Sequence, residues 1–94
     1  MYLIHEENHS CLCVAEDLCK GILWLIKNDW LNGETIGVDK NDNDFLLKDI
    51  IPRADENKYL IFAYLIELFN NEGKRGVFEF LEKFGIYFNE IEVA

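Results

Sequence analysis

The run from Tyr59 to Ile66 is unbroken in apolar side chains and lies inside a longer stretch, Asp55 to Asn71, whose polar residues sit only at its ends and at Glu67. The unbroken run is far short of the roughly 20 residues that cross a bilayer, and the longer stretch exceeds a typical strand, so it reads as a helix inside a folded domain. Its near-continuous apolar character predicts cover on several sides. The rest of the chain must supply that cover.

Two further segments carry helical periodicity. After Gly73, Val77, Phe80, Leu81 and Phe84 keep the three-four spacing while Arg75, Glu79, Glu82 and Lys83 take the other side, and Gly85 is placed to stop the helix. Between Ala15 and Leu31 the apolar stripe is Leu18, Ile22, Leu25 and Ile26, with Glu16-Asp17 supplying negative charge at the start and Asn32-Gly33 a stop. Glu16 and Lys20 are four apart in the favourable order.

The termini read as strands. Tyr2 to His5 and Cys11 to Val14 are short apolar runs separated by Glu6-Glu7-Asn8-His9-Ser10, which predicts a hairpin. Ile86 to Val93 ends with Ile91 and Val93 alternating against Glu90 and Glu92, the pattern of a half-buried strand. Glu34 to Val38 reads as a short strand, Asp39 to Asp44 as a solvated loop, and Phe45 to Ile51 as one or two helical turns capped by Asp42 or Asp44 and ended by Pro52. The predicted architecture is α+β: a small antiparallel sheet, made by the N-terminal hairpin and the C-terminal strand, covered by about three helices, in one globular domain over 1–94.

Charge narrows the functions available. Eighteen Asp and Glu against nine Lys and Arg leave a formal net charge of -9, which repels phosphate backbones and anionic headgroups. Direct nucleic-acid binding and membrane-surface binding are therefore excluded as expectations. No basic leader precedes the first acids, and the thiols of Cys11, Cys13 and Cys19 are too close together for a disulfide framework, so a cytoplasmic protein with reduced cysteines is expected.

Both histidines and all three cysteines fall between positions 5 and 19. His5, His9, Cys11, Cys13 and Cys19 are the ligand types zinc takes, which makes a zinc-binding module one alternative function. The spacing fits no zinc knuckle, because one residue separates Cys11 from Cys13 and no second pair follows. The competing reading places Cys11 and Cys13 together on the core face of a strand, and no cofactor is expected. Cys19, near a helix start, is the one candidate nucleophile, but Glu16 and Asp17 oppose thiolate formation, burial against the hairpin is its expected fate, and no enzymatic activity is expected. Asp39, Asn41 and Asn43 resemble the first positions of an EF-hand loop; Asp44 then stands where glycine is needed and Ile50 where the bidentate glutamate is needed.

The remaining reading is a surface for another protein. Asp29, Glu34, Asp39, Asp42, Asp44, Asp49, Asp55 and Glu56 define a potential negative ridge, interrupted by Lys40, Lys48 and Arg53, and Trp24 and Trp30 flank the stripe of the first helix. The leading expectation is a non-enzymatic protein that binds a partner with a basic surface. Imitation of DNA phosphates, to inhibit a nucleic-acid-binding enzyme, is the other alternative. Homodimerisation is compatible with an apolar content this high. In size, acidity and richness in Asn, Ile and Phe the chain resembles accessory proteins of phages and other mobile elements, a likeness that rests on no motif and assigns no residue a role.

Overall fold

The computed structural model describes residues 1–7 and 11–92. Strands β1 (Tyr2–Glu6) and β2 (Cys11–Ala15) form the predicted hairpin; the predicted turn residues Asn8, His9 and Ser10 lie outside the described residues, as does Val93. Helix α1 (Leu18–Lys27), strands β3 (Ile36–Val38) and β4 (Asp44–Leu46), helices α2 (Leu47–Ile50) and α3 (Tyr59–Glu82), and strand β5 (Ile86–Glu90) follow. The α+β class holds. β5 returns to the free side of β1, giving an antiparallel sheet in the order β2-β1-β5, and β3 with β4 makes a separate antiparallel ribbon.

Period-two alternation assigns the two faces of the larger sheet. Tyr2, Ile4 and Ala15 are buried together with Ile86 and Phe88, and the register sets Ile4 opposite both Cys13 and Phe88. Helices α1 and α3 pack on that face, closing a core that includes the fully buried Ile22, Leu25, Ile26, Leu31, Leu47, Ile61, Leu65, Val77 and Leu81. Burying each such side chain is worth about 1.5–3 kcal/mol. The helix α1 seats closely because Gly21 faces the sheet, where a Cβ would lie 2.7 Å from Ile4 Cδ1.

Several boundaries differ from the sequence reading, each for an identifiable reason. Asp17 caps α1 by accepting the Lys20 N–H at 2.8 Å, and the predicted Glu16–Lys20 pair forms at 2.8 Å. The helix stops at Lys27 and not at Asn32-Gly33, because Asp29 takes the left-handed conformation (φ 62°) and the Trp30 and Asp29 amides bond back to Leu25 O and Ile26 O at 2.9 and 3.2 Å. That is a Schellman stop with aspartate where glycine is usual.

Phe45 and Leu46 belong to β4 and not to a helix, since β3 is available to pair with them. Only Leu47–Ile50 is helical, entered with the Asp49 carboxylate accepting the Leu46 N–H at 2.9 Å, and neither Asp42 nor Asp44 caps it. The predicted helix over 55–71 begins at Tyr59, where the Asn57 side-chain oxygen accepts the Tyr59 N–H at 3.1 Å. Its cover is partial: Ile61 and Leu65 are buried, Leu60, Phe62, Tyr64 and Leu68 are half-buried against the core, and Tyr59, Ala63 and Phe69 are exposed. The predicted break at Gly73 is present as a kink inside α3 (φ 73°, ψ -172°), and Gly85 ends its second limb at φ 73°. Ile91 and Glu92 follow β5 instead of forming its alternating end.

Candidate functional site

Two loops diverge around a cleft of about 610 Å³, one running from α1 to β3 and the other from α2 to α3. The first loop is braced by asparagine and threonine side chains. Asn32 accepts the Glu34 N–H at 2.8 Å and donates to Asp29 O at 3.1 Å, while the Thr35 hydroxyl accepts the Asn32 N–H at 2.9 Å and donates to Trp30 O at 3.2 Å. The second loop approaches it through Gly33, where a Cβ would lie 2.5 Å from the Asp55 backbone nitrogen. No other residue permits that approach without a shift of backbone.

Four carboxylates of the predicted ridge converge here: Asp29 and Glu34 from the first loop, Asp55 and Glu56 from the second. Lys58 reaches across to Asp29 at 3.0 Å, Lys48 pairs with Glu34 at 3.0 Å, and Arg53 pairs with Glu56 at 2.8 Å. Asp55 has no ion pair among the described residues. The Lys48 ammonium is held above its ordinary pKa, first by the hydrogen bond to Glu34 and then by the charges of Glu34, Asp55 and Asp49. Tyr59, 47% exposed, stands at the cleft wall and offers an aromatic surface beside these acids.

The other predicted partner residues are elsewhere. Asp39, Asp42 and Asp44 sit at the β3–β4 turn, where the Asp39 carboxylate accepts the Asn41 and Asn43 N–H groups at 2.8 and 3.0 Å. The likeness to a calcium loop thus reduces to an aspartate bracing its own turn. Asp49 serves the entry to α2. Trp24 is half-buried against the core, and Trp30 is exposed on the loop just after Asp29. Sequence reasoning missed Asn57, Lys58 and Tyr59 as cleft residues by assigning 55–58 to a helix; Asn57, two residues before the apolar run that starts at Tyr59, was the turn signal available.

The histidine and cysteine cluster is dispersed. A β-bulge between the Ile4 and His5 registers leaves Leu12 as the extra residue, so Cys13 pairs with Ile4 on the core side while Cys11 pairs with His5 on the opposite side. This corrects the expectation that Cys11 and Cys13 share a face. Burial pushes the Cys13 thiol pKa up, with a smaller push from Cys11. Cys19 is exposed and not buried against the hairpin; it lines an apolar groove of about 220 Å³ between α1 and α3.

The His5 ring stacks on Tyr87 with centroids 5.4 Å apart. Its Nδ1 lies 3.0 Å from Glu6 O and its Nε2 2.8 Å from the Asn89 amide nitrogen, so in the neutral ring the proton belongs on Nδ1. Of the five candidate ligands the structure brings His5 and Cys11 onto one face, and His9 lies outside the described residues. Among the described residues no group of three or more His, Cys, Asp and Glu is arranged to hold a metal ion.

Comparison with protein-family models, with curated proteins and with solved structures returned no match. Among the described residues no helix is long and apolar enough to cross a membrane.

Proposed function

We propose that this chain is a non-enzymatic protein-binding module whose acidic cleft receives a basic segment of a partner protein. The observation that carries this reading is the convergence of Asp29, Glu34, Asp55 and Glu56, distant in sequence, on one cleft. Asp55 is available to an incoming guanidinium or ammonium, Tyr59 gives that cation an aromatic face, and Asp29 exchanges Lys58 for a partner cation. Imitation of DNA phosphates is less well supported, because Lys48, Arg53 and Lys58 stand among the carboxylates and break any continuous anionic track.

Calorimetric titration with an arginine-rich peptide at low salt and at about 0.5 M salt tests the proposal, since exposed charge contacts are strongly screened at the higher value. Binding is expected at low salt, weakened at least about tenfold by the double change Asp29→Ala and Asp55→Ala, a loss of about 1.4 kcal/mol. The double change Asp42→Ala and Asp44→Ala removes equal charge from the β3–β4 turn and should leave affinity nearly unchanged. Equal weakening by the two pairs would reduce the interaction to unspecific attraction and overturn the assignment.

A further inference from the structure

Asn32 is followed by Gly33, and none of the other asparagines in the chain is followed by glycine. An asparagine side chain is open to attack at its amide carbon by the backbone nitrogen of the next residue, and glycine there puts no Cβ in the way. In the folded chain that nitrogen is not tied down, since the Gly33 N–H donates no hydrogen bond among the described residues. The carbon under attack is also activated. The Glu34 N–H lies 2.8 Å from Asn32 Oδ1, the oxygen on which negative charge develops as the nitrogen adds. Electrophile, nucleophile and oxyanion donor are therefore three consecutive residues of the loop that walls the cleft.

We infer that Asn32 is a self-modification site, a one-way switch in the bracing of the two cleft loops. The Gly33 nitrogen bonds to Asn32 Cγ, the Cγ–Nδ2 bond breaks, and ammonia leaves with the proton that Gly33 gives up, closing a cyclic imide. Water then opens the ring. Addition at the side-chain carbonyl leaves aspartate in an ordinary peptide; addition at the backbone carbonyl leaves isoaspartate, whose chain runs on through Cβ and Cγ. Either product lacks the Nδ2 donor that now reaches Asp29 O at 3.1 Å, and adds a negative charge to the loop that already holds Asp29 and Glu34. In isoaspartate the path is also longer by one C–C bond, about 1.5 Å. The Asn32 oxygen that accepts the Thr35 N–H at 3.1 Å then belongs to a free carboxylate and no longer closes the turn. Gly33 has no room to absorb the change, because even a Cβ on it would lie 2.5 Å from the Asp55 nitrogen. The isoaspartyl loop parts from its neighbour, and the Lys48 N–H loses Gly33 O, its acceptor at 3.1 Å. The loss of peptide binding that follows rests on the acidic-cleft reading; the modification itself does not.

The folded chain is held for weeks in mildly alkaline buffer, which favours loss of the Gly33 amide proton, then digested and mapped by mass spectrometry, with isoaspartate detected by isoaspartate-specific carboxyl methylation. Exchange of amide for acid should concentrate at Asn32, with isoaspartate among the products. Asn32→Asp, which stands for the ordinary product, should melt about 4–8 °C below the unchanged chain, the size of one lost hydrogen bond. The isoaspartyl chain, separated by anion exchange, should melt lower still and bind the arginine-rich peptide several-fold more weakly at low salt. Asn32→Gln keeps an amide but cannot close the same ring, so it should neither convert nor lose melting temperature during the incubation. An intact Asn32 after that time, or conversion no faster there than at the other asparagines, overturns the inference. So does an isoaspartyl chain that melts with the unchanged one. A lowered melting temperature with unaltered peptide affinity would support the modification and count against the acidic cleft as the binding site.

Discussion

The acidic cleft and the open sheet face are built by opposite means. The cleft is a product of loops: its carboxylates are positioned by side-chain hydrogen bonds at Asn32 and Thr35 and by three ion pairs between side chains largely in water. The open face is a product of strand register alone, since alternation that sends Ile4 into the core must send Leu3 out. One surface is charged and salt-sensitive; the other carries Leu3, Val14 and Tyr87 by register. The comparison teaches that strong acidity in a small chain need not be spread evenly, and that its absence from one face is as informative as its concentration on another.

The sharpest way to break the distinction is at adjacent residues of β1. Ile4 is fully buried between α1 and the sheet, so Ile4→Ala should cost about 2–5 kcal/mol through lost burial and a residual cavity. Leu3→Ala, one residue earlier on the other face, should cost less than about 1 kcal/mol, because its side chain already meets solvent. Urea unfolding of both variants measures the difference. Equal losses would mean that the second face is as covered as the first.

A smaller effect is expected where the two cleft loops touch. Gly33→Ala puts a methyl group against the Asp55 backbone, and overpacking of this kind costs about 1–3 kcal/mol. The loops must separate to accommodate it. Affinity for the basic peptide should therefore fall along with thermal stability. Unchanged affinity with lowered stability would show that the cleft does not depend on how closely its two loops approach.

Much of the fold is legible in the sequence where a local signal suffices. The hairpin follows from two apolar runs and a polar turn, the kink from Gly73, and the end of α3 from Gly85. The errors cluster where distant groups decide. Phe45 carries a helix-compatible neighbourhood, yet its ring packs edge-on against Phe84 at 5.3 Å and its backbone pairs with β3. The bulge at Leu12 that separates Cys11 from Cys13 has no sequence signature, because either register keeps an apolar residue facing the core. At the cleft the acids themselves are legible as a ridge. Their convergence is not, since it depends on how closely Gly33 lets Asp55 approach.

The smallest expected effect lies at the rim of the core face, where β5 ends. Glu90 accepts the Lys74 ammonium at 2.6 Å and the Tyr2 hydroxyl at 3.1 Å, and these two hydrogen bonds, Lys74 first, hold its pKa below the ordinary glutamate value. An acid whose pKa is lower folded than unfolded binds fewer protons in the native state only between those two values; above both, each state is deprotonated and the stabilising contribution is complete, as at neutral pH. The contribution is lost as pH falls from the ordinary glutamate range through the depressed folded value. Glu90→Gln should therefore be slightly less stable than the unchanged chain at pH 7 and converge with it in acid. Solvent exposure of both partners and screening by salt keep the difference small. Unfolding curves at neutral and acidic pH, at low and high salt, test the sign: a gap that persists unchanged in acid would mean that Glu90 acts through packing at the strand end and not through its charge.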